Sequence, residues 1–499
     1  MENFADLDSP LELFFGIFQA NYCEGMKYTS TRGGVSDVDF EGVLFAGFAQ
    51  DGGLFMPEHI PKVNKETLTT WRSFSYKELV KEICSLFVTP EVIPRHELHG
   101  LIDKALHRFR HKDVVPMSRL KSGLNVLEMW HGATLAFKDL AMSCVGQFLD
   151  YFLKKNNRHV NILVGTSGDT GSAAIEGVRG IPNIDITVLL PHGRCTEIQE
   201  RQMTTVIEDN VHVFSVDGTS DELDEPIKKL FRDTEFVKKH NLMSTNSVNW
   251  ARVMVQIAHF FYGYFQCAPT QVDDVLPPVE IVVPTGGAGN ITAGCIAQKM
   301  GLPIQLVAVV NSNDIIHRTV QHGDFSLGDT EMTLASAMDI QEPYNMERIL
   351  WLAADSDSAK IKEMMKEFNE RKRLKLPQEL HIRLLEMMKS CSVTDNNILQ
   401  TIRRCWEENQ YLLCPHSAVA VFYHYQQFDC NRNVPRCCLA PASAVKFQDV
   451  ILRADLVPQI PPEIEALMRK ETRFTLLKKQ DDWEKVLREK IEAIDQKKM

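Results

Sequence analysis

Between about residue 120 and residue 310, short apolar runs rich in Val, Ile and Leu alternate with segments whose apolar residues recur at helical spacing. The runs Asn125–Glu128, Val160–Val164, Ile184–Leu190, Val211–Val216, Val279–Val283 and Gln305–Val310 read as strands. Alternation of this kind predicts parallel sheet built from right-handed crossover units. Upstream, Tyr76–Phe87 and Glu97–Phe109 carry amphipathic helical patterns, and Asp39 to Leu54 suggests a helix and a turn. Downstream, residues 355–400 are charged and helical and predict a separate lobe. Residues 461–499 place many Lys and Glu at helical spacing, which predicts a solvated helix or two.

The pattern divides the chain into five parts: an extension (1–25), an N-terminal domain (26–115), a large α/β domain (116–155 with 265–460), a small α/β domain (156–264) and a helical tail (461–499). Pro269 to Pro278, with Asp273 and Asp274, reads as a surface connection, and no internal repeat stands out. The extension is expected to be poorly ordered or a short surface helix. Its apolar stretch Leu11–Phe18 is short and follows Glu2, Asp6 and Asp8 rather than basic residues, unlike a secretory signal.

Composition narrows the chemistry. A net charge of −11 over 499 residues argues against a nucleic-acid surface. No run of about 18 apolar residues occurs, so no membrane span is expected. The 12 cysteines contain no paired CxxC motifs. No metal site is expected, and free thiols suit a reducing, cytoplasmic setting. Adjacent Cys437 and Cys438 read as small core residues rather than a redox switch.

The most informative residue is Lys138, in His131-Gly132-Ala133-Thr134-Leu135-Ala136-Phe137-Lys138-Asp139. A lysine in a largely apolar stretch is costly to desolvate as an ammonium. Desolvation lowers its pKa and suits it to Schiff-base chemistry, which points to pyridoxal phosphate. Such a cofactor needs a phosphate cradle, and two glycine-rich turns qualify. Gly165 to Gly171 follows the strand Val160–Val164, and Pro284 to Asn290 follows the strand Val279–Val283. Each opens a helix, where converging N–H groups and the helix dipole favour an anion. An ordinary strand-to-helix turn is the bland alternative for either loop. A dinucleotide fingerprint fits poorly, because the spacing in the first is GxxGxxG.

These residues resemble a known family. The lysine segment, Thr166–Ala174 (TSGDTGSAA), Asn246–Arg252 (NSVNWAR), Ser30–Gly33, Asp51–Pro57 and Gln202–Val206 look like threonine synthase of the fungal and enterobacterial type, in order from Met26 to Phe447. Cys414–Val419 and Cys437–Ser443 are similar to a vertebrate branch of that family. The resemblance implies a fold type II enzyme dependent on pyridoxal 5'-phosphate, like the tryptophan synthase β subunit, with two open parallel α/β domains plus an N-terminal domain. It implies that Lys138 carries the cofactor and that Gly286, Gly287, Ala288, Gly289 and Asn290 hold its phosphate. It further implies that Thr166, Ser167, Gly168, Asp169 and Thr170 grip the substrate α-carboxylate, and that Ser30, Thr31, Arg32, Asn249 and Arg252 surround the substrate phosphate. Arginine suits that last task through bidentate donation. Asn249 also reads as a helix cap.

Two stretches depart from the family pattern. The loop often written SGNFGD is TGGAGN at Thr285–Asn290, and STAHPAKF becomes APASAVKF at Ala440–Phe447. The threonine expected at the pyridine nitrogen falls on Pro441, which offers no donor, and Ser443 is the candidate replacement. Both departures touch the cofactor and weaken transfer of full threonine synthesis, in which a water must be placed with control. The expected activity is therefore a phospho-lyase. It would act on O-phosphohomoserine, O-phosphothreonine or both, giving 2-oxobutyrate, phosphate and ammonia. Threonine synthesis and a catalytically retired binding protein are the alternatives. The expected partner is a small phosphorylated amino acid, with the chain a monomer or homodimer.

Overall fold

The computed structural model describes residues 25–166, 168–218, 220–269, 276–432 and 434–498. The predicted extension lies almost wholly outside these residues, as does most of the connection from Pro269 to Pro278. The 11 cysteines among the described residues are all free, and no helix among them is long and apolar enough to cross a membrane.

Two sheets form the frame, with a short two-stranded ribbon beside them. Strands β1 (Tyr28–Ser30) and β2 (Phe55–Pro57) pair antiparallel in the N-terminal region. The large sheet has six strands: β3 (Met117–Arg119), β4 (Asn125–Glu128), β9 (Val279–Pro284), β10 (Ile304–Val310), β11 (Met388–Ser392) and β12 (Arg436–Ala440). Its order is β11-β10-β9-β12-β4-β3, parallel except at the β3 edge. The small sheet comprises β5 (Val160–Gly165), β6 (Ile184–Pro191), β7 (Val211–Val216), β8 (Leu242–Met243) and β13 (Thr475–Leu477), in the order β13-β7-β6-β5-β8 and wholly parallel. Both central regions are buried on two faces, which explains why β6, β9 and β10 are largely apolar and buried along nearly their whole length, with only Asp185, Thr187, Glu280 and Gln305 interrupting the apolar residues.

Helix Lys138–Lys155 joins the two sheets. Its packing on helix Asp169–Val178 needs bare backbone. A Cβ on Gly146 would lie 1.9 Å from the Gly177 carbonyl oxygen, and one on Gly177 would lie 2.7 Å from that of Met142. Helix Trp250–Cys267 is buried from Trp250 through Phe265 and runs through the main core.

Seven strands escaped the pattern: β1, β2, β3, β8, β11, β12 and β13. The tail corrects the expectation of a merely solvated helix. β13 forms an edge of the small sheet, and helix Trp483–Lys498 buries Leu487, Ile491 and Ile494. Those positions, at i, i+4 and i+7, are one apolar stripe within a highly charged segment. Asp495 fixes the same helix, accepting from Asn161 Nδ2 at 2.9 Å and lying 2.5 Å from His240 Nδ1. The lobe at 355–400 likewise contains β11, whose polar sequence Met-Lys-Ser-Cys-Ser carries no strand signal.

Candidate active site

A cavity of about 380 Å³ opens at the carboxyl ends of β5, β9 and β12, where parallel α/β folds place ligands. It is lined by Phe137 and Lys138, by Thr166 and Gly168–Thr170, by Asn246–Val248 and Arg252, by Pro284–Ile291, and by His416, Pro441 and Ala442.

Lys138 is the first residue of its helix. The preceding loop is held by Phe137 N–H donating to Pro441 O at 2.7 Å and Ser443 N–H donating to Leu135 O at 3.0 Å. Leu135 adopts a left-handed φ of 58°, which turns the chain sharply before the lysine. Thr134 donates its N–H (2.8 Å) and its hydroxyl (2.7 Å) to Asp139. The Lys138 amine has no hydrogen-bond or ion-pair partner among the described residues. Burial lowers its pKa to about 8. Asp169 opposes that shift, while Arg252 and Lys446 add to it.

The loop after β9 is shaped as a nest. Thr285 is spent internally, its hydroxyl donating to Val283 O at 2.7 Å. Ala288 is left-handed at φ 61°, and the helix begins at Gly289, so the first-turn N–H groups have no helical acceptor. A Cβ on Gly286 would meet Met338 Cα at 3.0 Å and Ala337 O at 3.2 Å, so backbone closes tightly behind it. Asn290 donates to Gln256 Oε1 at 3.0 Å and keeps a buried Oδ1 without a partner.

Across the cavity, Thr166 Oγ1 accepts from Gly168 N and Gly171 N, both at 3.0 Å. Gly168 has φ 150°, and a Cβ there would meet Gln199 Nε2 at 2.6 Å. Ser167 lies outside the described residues. Asp169 pairs with Lys446 Nζ at 2.6 Å and accepts from Gln199 Nε2 at 2.8 Å. Burial alone would raise its pKa, but Lys446 and Lys138 hold it well below the usual carboxylate range.

Arg252 is 3% exposed. Its Nη1 donates to Thr245 O at 3.0 Å, and its Nε is buried without a partner. No carboxylate pairs with it among the described residues, and burial lowers its pKa to about 10. It therefore faces the cavity as an uncompensated guanidinium.

The other phosphate candidates are elsewhere. Ser30 and Thr31 are fully buried and donate to Asp51 Oδ1 (2.7 Å) and Glu347 Oε1 (2.6 Å). Arg32 forms a bidentate pair with Glu347, at 3.0 and 2.8 Å, on a neighbouring cavity of about 210 Å³. The two cavities share Phe48 and Tyr344. A guanidinium already satisfied by a carboxylate is a poor receptor for a second anion. Asn249 caps its helix, accepting from Ala251 N at 3.0 Å and donating to Leu44 O at 2.8 Å, and does not line the cavity. Ser443 does not line it either: the wall there is Pro441 and Ala442, so the candidate replacement at the pyridine nitrogen is not in place.

Sequence reading missed His416 and Lys446. His416 Nε2 accepts from Ala337 N at 3.1 Å, and burial lowers its pKa to about 4, which keeps the ring neutral. Neither residue sits in a pattern that distinguishes it from core. Their adjacency to Lys138 depends on strands far apart in the chain.

The residues present fit pyridoxal phosphate. They offer a free, desolvated amine, a glycine nest with tight backbone behind it, and a buried cation lacking a counter-charge, all around one cavity.

Comparison with known proteins agrees. Residues 27–106 match the family described as threonine synthase N terminus, 114–376 match pyridoxal-phosphate dependent enzyme, and 417–488 match threonine synthase, C-terminal. The chain is 74% identical over 474 residues to threonine synthase-like 2 of Xenopus laevis, covering 95% of this chain and 100% of the relative. It is 61% identical over 471 residues to threonine synthase-like 2 of Homo sapiens, covering 94% and 97%. The structure is similar to that of pyridoxal-phosphate-bound threonine synthase from Brucella melitensis, with TM-score 0.87, 34% identity, and coverage of 94% and 99%.

Proposed function

We propose that this chain, which belongs to the threonine synthase family and takes pyridoxal 5'-phosphate as its cofactor, is a phospho-lyase. Its reaction is γ-elimination from O-phosphohomoserine, β-elimination from O-phosphothreonine, or both. Either route, with one water consumed, ends in 2-oxobutyrate, phosphate and ammonia.

The observation that carries this reading is Arg252, a buried guanidinium with no carboxylate partner among the described residues, on the same cavity as Lys138. A phosphate monoester supplies the missing charge and accepts two N–H donors at once. In this reading, the backbone around Thr166 to Thr170 orients the α-carboxylate. Gly286–Asn290 fix the cofactor phosphate at a helix N-terminus. When bound, the cofactor supplies the electron sink that lets Cα lose its proton. Lys138 Nζ receives that proton and, for O-phosphohomoserine, would have to hand it on before taking one from Cβ. An amine with a pKa near 8 is suited to taking and returning protons near neutrality.

Elimination is favoured over threonine formation by what the wall lacks. The positions where the resemblance expects Asn, Phe and Thr are Gly287, Ala288 and Pro441, and all three line the cavity. None offers a side-chain donor to hold a water at Cβ, and losing that placement costs about 10²-fold in rate. The test is to incubate the pure protein with each substrate and measure phosphate, 2-oxobutyrate and threonine in one reaction. Phosphate matched by 2-oxobutyrate supports the reading, and phosphate matched by threonine replaces it with threonine synthesis.

A further inference from the structure

Behind Lys138 lies a second lysine that the reaction above does not use. Lys446 is 1% exposed, within the short helix Ala444–Phe447. Its Nζ lies 2.6 Å from Asp169 Oδ1 and donates to Thr134 O at 2.7 Å. Gln202 Nε2 donates to that same carbonyl at 2.9 Å. Thr134 is also the residue whose N–H and hydroxyl hold Asp139, next to Lys138. Lys446 therefore links three pieces of chain: the segment after β12, the loop before Lys138, and the helix start that carries Asp169. Asp169 borders the cavity with Lys138, whereas Lys446 does not.

We propose that Lys446 is a positioning residue that keeps Asp169 ionised against the Lys138 amine, and that this pair sets how tightly the Lys138 nitrogen holds its proton. A buried carboxylate with no cation beside it takes up a proton instead of staying charged. With Lys446 in place, Asp169 remains an anion while sparing its second oxygen for other partners. The two charges act on Lys138 in opposite senses. Asp169 favours the protonated amine, and Lys446 disfavours it. Arg252, from helix Trp250–Cys267, disfavours it too. His416, from helix Pro415–Asp429, is neutral. Asp139, on the lysine's own helix, is turned to Thr134 and is pushed up to about 6 by burial.

The inference rests on the reading that Lys138 is the lysine joined to the cofactor, and its test separates the two. The holoenzyme is titrated from acid to alkaline pH while its visible cofactor band is followed, since the band reports protonation at the Lys138 nitrogen. Asp169→Asn lowers the midpoint by about one pH unit. Lys446→Met lowers it too, by a smaller step, because the Asp169 carboxyl left behind takes up a proton while one nearby cation is gone. Lys446→Arg leaves the midpoint at the wild-type value. The double variant Lys446→Met/Asp169→Asn matches Lys446→Met, and Asp169→Asn carries the test where Lys446→Met does not fold. A merely structural lysine would lower thermal stability without moving the midpoint. Midpoints that stay at the wild-type value, or a midpoint that rises in Lys446→Met, overturn the proposal. A visible band that survives Lys138→Ala overturns the underlying reading instead.

Discussion

Among the described residues neither the Lys138 amine nor the buried Arg252 guanidinium has an ion-pair partner, and a fold tolerates a desolvated cation of this kind chiefly where a ligand completes the site. The lysine amine must be neutral to attack an aldehyde, and its pKa is lowered to about 8. Uptake of pyridoxal phosphate by cofactor-free protein should therefore speed up as pH rises toward 8 and level off above it. Below that point the rate should fall by about tenfold per pH unit. Stopped-flow absorbance at constant ionic strength checks this, and Lys138→Ala should show no visible band at any pH. Arg252 and Arg32 separate by the same logic. Arg252→Met should lower kcat/KM for a phosphorylated substrate by about 10- to 100-fold, the loss of a charged hydrogen bond. Arg32→Met should act chiefly on stability, because it strands Glu347, a buried carboxylate. Equal losses of kcat/KM in the two variants, at equal stability, would place the phosphate elsewhere. Lys138 was legible in sequence because a lysine among apolar residues is chemically conspicuous. Arg32 and Arg252 were both phosphate candidates there, and the structure distinguishes them by the pairing of Arg32 with Glu347 and by the cavity each one lines.

Elements were read best where burial is simple. Helix Tyr76–Phe87 appears with the predicted bounds, because a Ser75–Glu78 capping box and a single apolar face define it locally. β9 and β10 were equally plain, since strands covered on both faces are rich in apolar residues, with Glu280 and Gln305 the polar ones here. β11 and β13 were not, because an edge strand is recruited by its neighbour's free N–H and C=O groups more than by its own side chains. The tail illustrates what that recruitment adds. Leu487 is fully buried between the last helix and the small sheet. Leu487→Ala should destabilise the protein by about 2–5 kcal/mol, the range for a core leucine. Denaturant unfolding followed by circular dichroism measures it. A loss under about 0.5 kcal/mol, the range of surface substitutions, would mean that the tail is only an exposed appendage.

The whole molecule is a device for bringing the ends of β5, β9 and β12 to one cavity, and the outcome of the reaction belongs to this scale. Water control depends on the complete wall, so adding the missing side chain at one position is informative. A Cβ on Gly287 would meet Ile340 Cδ1 at 3.7 Å and Ser247 Oγ at 3.9 Å, ordinary contact distances. Gly287→Asn should therefore be accommodated and should raise the ratio of threonine to 2-oxobutyrate formed from O-phosphohomoserine. An unchanged ratio in a folded, cofactor-loaded variant would remove Gly287 from the account of specificity. The chain's alternating pattern by itself determined the α/β class, the two glycine turns, the lysine and the family resemblance, because each is a local matter of side-chain period or backbone freedom. Tertiary structure alone decided that Arg32 is neutralised and Arg252 is not, that Ser443 stands outside the wall, and that Lys446 meets Asp169. Those facts depend on charges from distant segments meeting across a dry interior, where a few ångströms set the sign and size of every interaction.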